Sequence, residues 1–240
     1  MSLVSPAQIA QYNEEGYFIL EGAMPPQLLT DLQDECQRFI ELANADMDAR
    51  GVTTDGINHR DKRYFIANRY EDSAKVTQFL FSDFMAELTH GVLGEKVFLF
   101  WEQYVVKCAE VGMKFAWHQD SGYVGFDHKP YLSCWCALDD MTEENGTVYL
   151  LPYSRAGTRD AVTHAQEAGS NDLVGYFGDD PGIPAIVPAG SVVCFSSTVF
   201  HCSGANITKR PRRVYLAQYA TEPVINPAND EPKGLAVQVD

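Results

Sequence analysis

The sequence is poor in positive charge. It has 18 lysine and arginine residues against 33 aspartate and glutamate residues, and its formal net charge at pH 7 is -15. Such a surface repels phosphate groups and anionic lipids, which excludes a general affinity for nucleic acids or anionic membranes. The densest basic cluster is the run Lys-Arg-Pro-Arg-Arg at residues 209–213. Any anionic ligand therefore needs a local basic pocket.

The sequence also lacks long apolar runs, secretion signals and linkers. No apolar run approaches the length of a transmembrane helix, and the N-terminus lacks a basic and then apolar pattern. The six cysteines are scattered, and Cys134 and Cys136 are too close for a Cys-x-x-Cys metal or redox motif. We therefore predict reduced thiols in a cytoplasmic protein. No repeat or low-complexity tract interrupts residues 1–240, which predicts a single domain.

Two patterns follow each other along the chain. Residues 1–95 are predicted to be mainly helical, with a capping box at Ser5 and Gln8, a helix opening at Pro26 and a helical pair ended by Gly94. Residues 96–222 instead carry short runs rich in Val, Tyr, Phe and Trp, which predict a β sandwich or barrel. The expected strands lie near residues 97–108, 114–119, 131–138, 147–152, 184–188, 191–197 and 212–220.

Residues 154–182 interrupt the strands with an acidic, glycine-rich stretch. A long irregular insertion in a compact β domain is often a functional lid. A surface loop without such a role is an equal alternative, and the sequence leaves both open.

The chemistry of the sequence centres on the motif "WHQD" at residues 117–120. In a strand, residues two apart face the same side, which places His118 and Asp120 together. Alone, this pair fits a local hydrogen bond as well as a metal site. A second histidine, His201, follows another β-rich run. Two imidazoles and one carboxylate make up the facial triad of non-haem Fe(II) oxygenases, in which the protein occupies one face of the metal and leaves the other open.

Arg212 follows His201 by eleven residues. Arg212 offers a planar fork that pairs with a carboxylate, as a co-substrate that chelates iron at one end and carries a second carboxylate would require. Its neighbour Arg213 competes for this role, because alternation along a strand turns only one of the two inward. A solvated charge at the start of a strand is the alternative for either residue.

The sequence resembles the phytanoyl-CoA dioxygenase (PhyH-like) family of Fe(II)/2-oxoglutarate-dependent dioxygenases along nearly its whole length. The resemblance rests on "IAQYNEEGYFIL", "EQYVVKCAEVGMKFAWHQD", "WCALDDMTEENGTVYLLPYSRAG" and "HCSGANITKRPRR". It implies a double-stranded β-helix, or jelly roll, with flanking helices. It also implies His118, Asp120 and His201 as iron ligands and catalytic residues, Arg212 as the anchor of 2-oxoglutarate, and O2 as the oxidant.

Further co-substrate residues are implied by the same resemblance. Ser203 would lie beside Arg212, and Gln103 and Trp135 match positions that line the co-substrate pocket in relatives. Each has a plainer alternative: a turn cap for the serine, an open strand face for the glutamine and the core for the tryptophan. The four remaining histidines are predicted to have surface roles: His59, His90, His128 and His164.

The sequence therefore predicts a hydroxylase of a small-molecule metabolite, with release of succinate and CO2 and with neither nucleic acid nor membrane as a partner. Related halogenases replace the carboxylate ligand with a small residue, so the presence of Asp120 favours oxygenation. The alternative is a cupin-like divalent-metal isomerase or hydrolase that uses the same His/Asp/His site without oxygen.

Overall fold

The computed structural model describes residues 2–110, 113–167 and 172–240. Three of its described α-helices begin at a serine cap. The Ser5 hydroxyl accepts a hydrogen bond from the Gln8 backbone, and the Gln8 side chain accepts one from Ser5, which confirms the predicted capping box. Ser73 and Ser82 cap the third and fourth helices. The helices are α1 (Pro6–Glu15), α2 (Pro26–Arg50), α3 (Ala74–Leu80), α4 (Asp83–Leu93) and α5 (Tyr153–Ala156), with 3-10 helices at Tyr70–Asp72 and Asp120–Tyr123.

Each of the seven predicted runs overlaps a strand, but residues 54–67, in the part predicted to be mainly helical, form three further strands. The strand expected near residues 184–188 is shorter than predicted. His201, expected just after the run at residues 191–197, lies in a separate short strand. The strands are β1 (Tyr17–Leu20), β2 (Thr54–Asp55), β3 (Asn58–His59), β4 (Arg63–Ala67), β5 (Val97–Lys107), β6 (Phe115–His118), β7 (Leu132–Ala137), β8 (Val148–Leu151), β9 (Ala165–Gln166), β10 (Leu173–Val174), β11 (Ile183–Pro184), β12 (Val192–Ser196), β13 (Phe200–Ser203), β14 (Arg212–Ala220), β15 (Ile225–Asn226), β16 (Glu231–Pro232) and β17 (Val237–Val239).

Two antiparallel sheets carry the fold. The large sheet has the order β1-β12-β7-β14-β5-β4-β3-β2, with β17 also paired to β5. The small sheet has the order β11-β8-β13-β6. Side chains of both sheets, such as Trp135 and Leu216 from the large one and Val148 and Leu150 from the small one, share one buried cluster. The two sheets therefore pack face to face, and the described strands form an open sandwich.

The helices cover the outer face of the large sheet. Alternation along β7 turns Trp135 toward the small sheet and turns Cys134 and Cys136 toward Leu32 and Phe39 of α2, in the largest core cluster. The close spacing of these two cysteines thus places them together in the core, and all six cysteines are free thiols. Within the described residues, no helix is long and apolar enough to span a membrane.

Candidate active site

Register between two strands of the small sheet brings the predicted iron ligands together. His118 ends β6 and lies directly opposite His201 of β13, with the ring centroids 4.2 Å apart. Asp120 begins the 3-10 helix that follows β6, and its Oδ1 lies 3.5 Å from Nε2 of His201. One donor atom from each of the three side chains lies within 4.8 Å of the other two. A single ion can therefore contact all three.

Hydrogen bonds leave one metal-binding atom free on each histidine. Nδ1 of His118 lies 2.7 Å from the Ala116 carbonyl oxygen, and Nδ1 of His201 lies 3.1 Å from the Val199 carbonyl oxygen. A carbonyl can only accept, so each Nδ1 carries a proton, and Nε2 is the ring nitrogen that is available to a metal. Burial, and then the neighbouring His201, lower the pKa of His118 well below its usual value, which keeps this imidazole neutral.

Two side chains hold the carboxylate of Asp120 in a fixed orientation. Ser133 donates a hydrogen bond of 2.6 Å to Oδ2, and the Gln218 amide donates one of 2.9 Å to the same oxygen. The Gln218 amide also contacts the Ser133 hydroxyl at 2.9 Å. Because both donors act on Oδ2, Oδ1 remains available beside His201. Partners of this kind fix the orientation of a metal ligand. The set of two imidazoles and one oriented carboxylate fits Fe(II).

The two arginines that competed in the sequence face opposite sides of β14. Arg213 donates two hydrogen bonds to the Asp139 carboxylate, at 2.6 and 3.1 Å. Arg212 is 1% exposed and lines the cavity that contains the metal-binding triad. Its guanidinium donates to the Gly146 carbonyl oxygen at 2.9 Å, its Nε has no partner, and no carboxylate of the described residues forms an ion pair with it. Arg212 is thus a buried cation directed into the site.

The remaining predicted residues line this same cavity. Ser203 follows His201 by two positions on β13 and faces the same side, while Gln103 lies on β5. The Trp135 ring centroid lies 5.6 Å from the Arg212 guanidinium carbon. The cavity has a volume of about 410 Å³ and extends to an apolar wall formed by Ile57, Phe65, Phe100, Trp101, Phe115 and Tyr123.

Pairing across three strands of the large sheet forms a row of buried basic side chains at the Arg212 end of the cavity. Lys107 of β5 lies opposite both Arg212 of β14 and Arg63 of β4. Lys107 is completely buried and Arg63 is 4% exposed. A guanidinium nitrogen of Arg63 lies 3.7 Å from Asp172, which also lines the cavity. Alternation predicts that Lys107 shares a face with Gln103 and that Gln218 shares one with Arg212, so both could have been found from the sequence.

His164 contradicts its predicted surface role. Its Nε2 accepts a hydrogen bond of 2.9 Å from the backbone N–H of Gln119, the residue between the two ligands of the "WHQD" motif. The imidazole packs between Gly122 and Gly175, where an added Cβ would lie 2.4 and 2.5 Å from its ring atoms. His164 therefore joins the insertion to the metal-ligand segment. Nothing in the sequence around His164 indicated this contact, because it depends on the path of the whole insertion.

The Gln119 side chain makes a second connection from the same position. Its amide group donates to the Thr198 carbonyl at 2.6 Å and to the Asp160 carbonyl at 2.9 Å, and its carbonyl accepts from the Val162 N–H at 2.9 Å. One completely buried side chain thus links the ligand segment, the turn before β13 and the insertion. The described part of residues 154–182 packs against the site, and its action as a lid remains a prediction.

Comparison with known proteins shows which family the chain belongs to. The model of the phytanoyl-CoA dioxygenase (PhyH) family matches residues 12–214. The chain belongs to this family. A 2-aminoethylphosphonate dioxygenase from the uncultured bacterium HF130_AEPn_1 is 24% identical over 91% of this chain and 82% of its own length. The phytanoyl-CoA dioxygenase domain-containing protein 1 of Bos taurus is also 24% identical, over 90% of this chain and 89% of its own length.

Solved structures share the fold. The non-haem alpha ketoglutarate dependent carbocyclase SnoK from nogalamycin biosynthesis superposes with a TM-score of 0.74 at 16% identity, covering 99% of this chain and 97% of its own. EctD from S. alaskensis, solved with 2-oxoglutarate and 5-hydroxyectoine, gives 0.70 at 19% identity, covering 98% and 84%. The predicted double-stranded β-helix is confirmed, and so is the dioxygenase class with its use of iron and 2-oxoglutarate.

Proposed function

We propose that this protein hydroxylates a small-molecule metabolite in a reaction that converts 2-oxoglutarate and O2 to succinate and CO2. The observation that carries the proposal is Arg212, a buried guanidinium with an unpartnered Nε, in the cavity of the metal triad. A buried cation without an anionic partner is unfavourable. A carboxylate ligand supplies the missing partner, and the distal carboxylate of 2-oxoglutarate fits this requirement.

The protein residues divide the work between them. His118, Asp120 and His201 would hold an iron ion, which would bind the oxo-acid end of 2-oxoglutarate and supply the oxidising chemistry. Ser133 and Gln218 keep Asp120 directed at the ion, and Arg212 with Ser203 fixes the far end of the co-substrate. The aromatic side chains of the cavity exclude water from the reacting atoms and position the substrate above them.

The substrate enters from the apolar part of the cavity. The volume of the whole cavity, about 410 Å³, is at the lower end of the range for small-molecule sites and suits one metabolite beside the co-substrate. The net charge of -15 gives no support for nucleic acid or membrane partners. The free cysteines support a reducing, cytoplasmic location.

A direct test incubates the Fe(II)-loaded protein with 2-oxoglutarate, O2 and a panel of metabolites, and measures succinate together with the mass of each product. The proposal predicts that one substrate raises succinate formation and gains one oxygen atom in equal amounts. Stoichiometric succinate with a substrate that loses hydrogen, or closes a ring, would keep the enzyme class and replace hydroxylation by another oxidation. No succinate with any substrate from a well-folded, iron-loaded protein would refute the proposal.

The cupin-like isomerase or hydrolase makes a different prediction. Such an enzyme would work without oxygen and would have no use for a carboxylate anchor, so Arg212→Ala would leave its turnover intact. Under the proposed function, the same change raises the apparent KM for 2-oxoglutarate. The buried Arg212 guanidinium, which forms no ion pair with a carboxylate of the described residues and whose Nε has no partner there, favours the oxygenase, because the alternative leaves this arrangement unexplained.

A further inference from the structure

Lys107 carries a buried amine that the proposed function does not use. Its side chain is completely buried, and its Nζ lies 2.7 Å from the Ser203 hydroxyl and within hydrogen-bonding distance of the Gly204 carbonyl oxygen. Lys107 does not line the cavity, but Ser203 does. The lysine therefore reaches the site through the serine.

The direction of this hydrogen bond determines what Ser203 can do. A lysine ammonium has donors only, so when Lys107 is charged the Ser203 oxygen must accept from it. The serine proton is then free to point elsewhere. Among the described residues, no other acceptor contacts the Ser203 hydroxyl, and the cavity is the open side. A charged Lys107 thus makes Ser203 a donor toward a ligand in the cavity.

The surroundings of Lys107 determine when it carries that charge. The ionisable groups that act on it are Arg212 on β14, Arg63 on β4, Cys202 on β13 and Asp172. Arg63 lies 3.7 Å from Asp172, whereas neither Arg212 nor Lys107 forms an ion pair with a carboxylate of the described residues. Burial, and then the neighbouring Arg212, lower the pKa of Lys107 to about 5. Without an anion in the cavity, its amine is neutral at pH 7.

A carboxylate beside Arg212 reverses this balance. It brings negative charge next to the Arg212 guanidinium and the Lys107 amine, and it favours the charged form of Lys107. The amine then becomes an ammonium, the Ser203 proton turns toward the carboxylate, and the anion gains a hydrogen bond in addition to Arg212.

We propose that Lys107 is a positioning residue for the co-substrate, which presents the Ser203 hydroxyl to the distal carboxylate of 2-oxoglutarate and takes up a proton when that carboxylate binds. This inference rests on the proposed function, because it requires 2-oxoglutarate at Arg212. It adds that binding is coupled to proton uptake and that the responsible group lies outside the cavity.

The test measures ligand binding by anaerobic calorimetry on the Fe(II)-loaded protein. The probes are 2-oxoglutarate and 2-oxobutyrate, which chelates iron but lacks the distal carboxylate. Lys107→Met is expected to weaken 2-oxoglutarate binding by about 10-fold or more, as the loss of a charge-assisted hydrogen bond implies, and to leave 2-oxobutyrate binding unchanged. Lys209→Met, at an exposed lysine, is the matched control and is expected to bind both probes as the original protein does.

Titration in two buffers of different ionisation enthalpy measures the proton directly. The original protein is expected to take up roughly one proton per 2-oxoglutarate near pH 7, and Lys107→Met roughly none. A purely structural lysine would not change this count. Lys107→Met is also expected to melt no lower than the original protein without ligand, since it removes a buried amine that is costly to charge. A lower melting point with unchanged selectivity between the probes would overturn the inference.

Ser203→Ala provides an independent variant if Lys107→Met does not fold. It is expected to weaken 2-oxoglutarate binding selectively, and 2-oxoglutarate binding equal to that of the original protein would overturn the inference. Binding of neither probe by the original iron-loaded protein would instead refute the proposed function. Binding of 2-oxoglutarate by the original protein and by Lys107→Met with equal affinity and equal proton uptake would refute the role of Lys107 alone.

Discussion

Replacement of Arg212 by methionine tests the co-substrate site most sharply. Methionine keeps an unbranched apolar chain against Trp135 and removes the guanidinium. Loss of one partner from a buried, hydrogen-bonded charge pair costs about 2 to 5 kcal/mol, which corresponds to a rise in Kd of about 30- to 5,000-fold. We expect the loss of 2-oxoglutarate binding energy to fall within this range, because Arg212 is fully buried and has no other anionic partner among the described residues.

The neighbouring residue supplies the control. Arg213→Met removes the same charge one position along the strand, but its guanidinium binds Asp139 and faces away from the cavity. The Kd for 2-oxoglutarate is measured by anaerobic calorimetry and the KM by succinate formation. Arg212→Met should raise both, whereas Arg213→Met should change neither. Equal values for the two variants would refute the reasoning from side-chain direction.

Three further predictions follow from neighbouring contacts. Ser133→Ala combined with Gln218→Leu frees Asp120 and should lower Fe(II) affinity by about 10- to 100-fold in a metal titration, and unchanged affinity would contradict the role of these donors. Gly175→Ala should displace His164, because the added Cβ would lie 2.5 Å from its ring, and should expose residues 158–164 to limited proteolysis. Gly91→Ala is the control, because its added Cβ makes only ordinary contacts. Equal cleavage of the two variants would argue against the His164 connection. Lys107 is protonated below about pH 10 in the unfolded chain but only below about pH 5 in the folded protein. Between these values the unfolded state binds more protons, so this residue should make the free energy of unfolding of the ligand-free protein rise by about 1.4 kcal/mol per pH unit. Lys107→Met should remove that slope in urea unfolding at pH 6 and pH 8, and an unchanged slope would place the pKa of Lys107 near its ordinary value.

Local patterns were sufficient to predict much of the fold. The Ser5 and Gln8 capping box and the strands β5, β7, β12 and β14 of the large sheet lie where short-range signals indicate them, whereas β2, β3, β4 and β17 were not predicted. The separate strand of His201 was missed, because a turn at residues 197–198 divides what reads as one β-rich run. Apolar composition alone does not show where a strand breaks, since the turn residues Ser197 and Thr198 also occur in strands.

The site was predictable only in part from strand spacing. Alternation paired His118 with Asp120, although Asp120 lies in the 3-10 helix that follows β6 and not in the predicted strand. Alternation also left the choice between Arg212 and Arg213 open, and the family resemblance favoured Arg212. The alignment of Arg63, Lys107 and Arg212 depends on the register between three strands, and the single-sequence pattern does not contain that register. The His164 contact depends on the path of a long insertion, which no local signal specifies.

We propose that His118, Asp120 and His201 hold an iron ion, that one end of 2-oxoglutarate binds this ion, and that Arg212 pairs with the distal carboxylate at the other end. Anaerobic titration of the Fe(II)-loaded protein with 2-oxoglutarate, followed by visible absorption, tests it directly. We expect a weak charge-transfer band that saturates with 2-oxoglutarate, requires higher 2-oxoglutarate concentrations in Arg212→Met and is absent in His118→Ala. A folded protein with bound iron and 2-oxoglutarate but no band, or a band unaffected by His118→Ala, would contradict it.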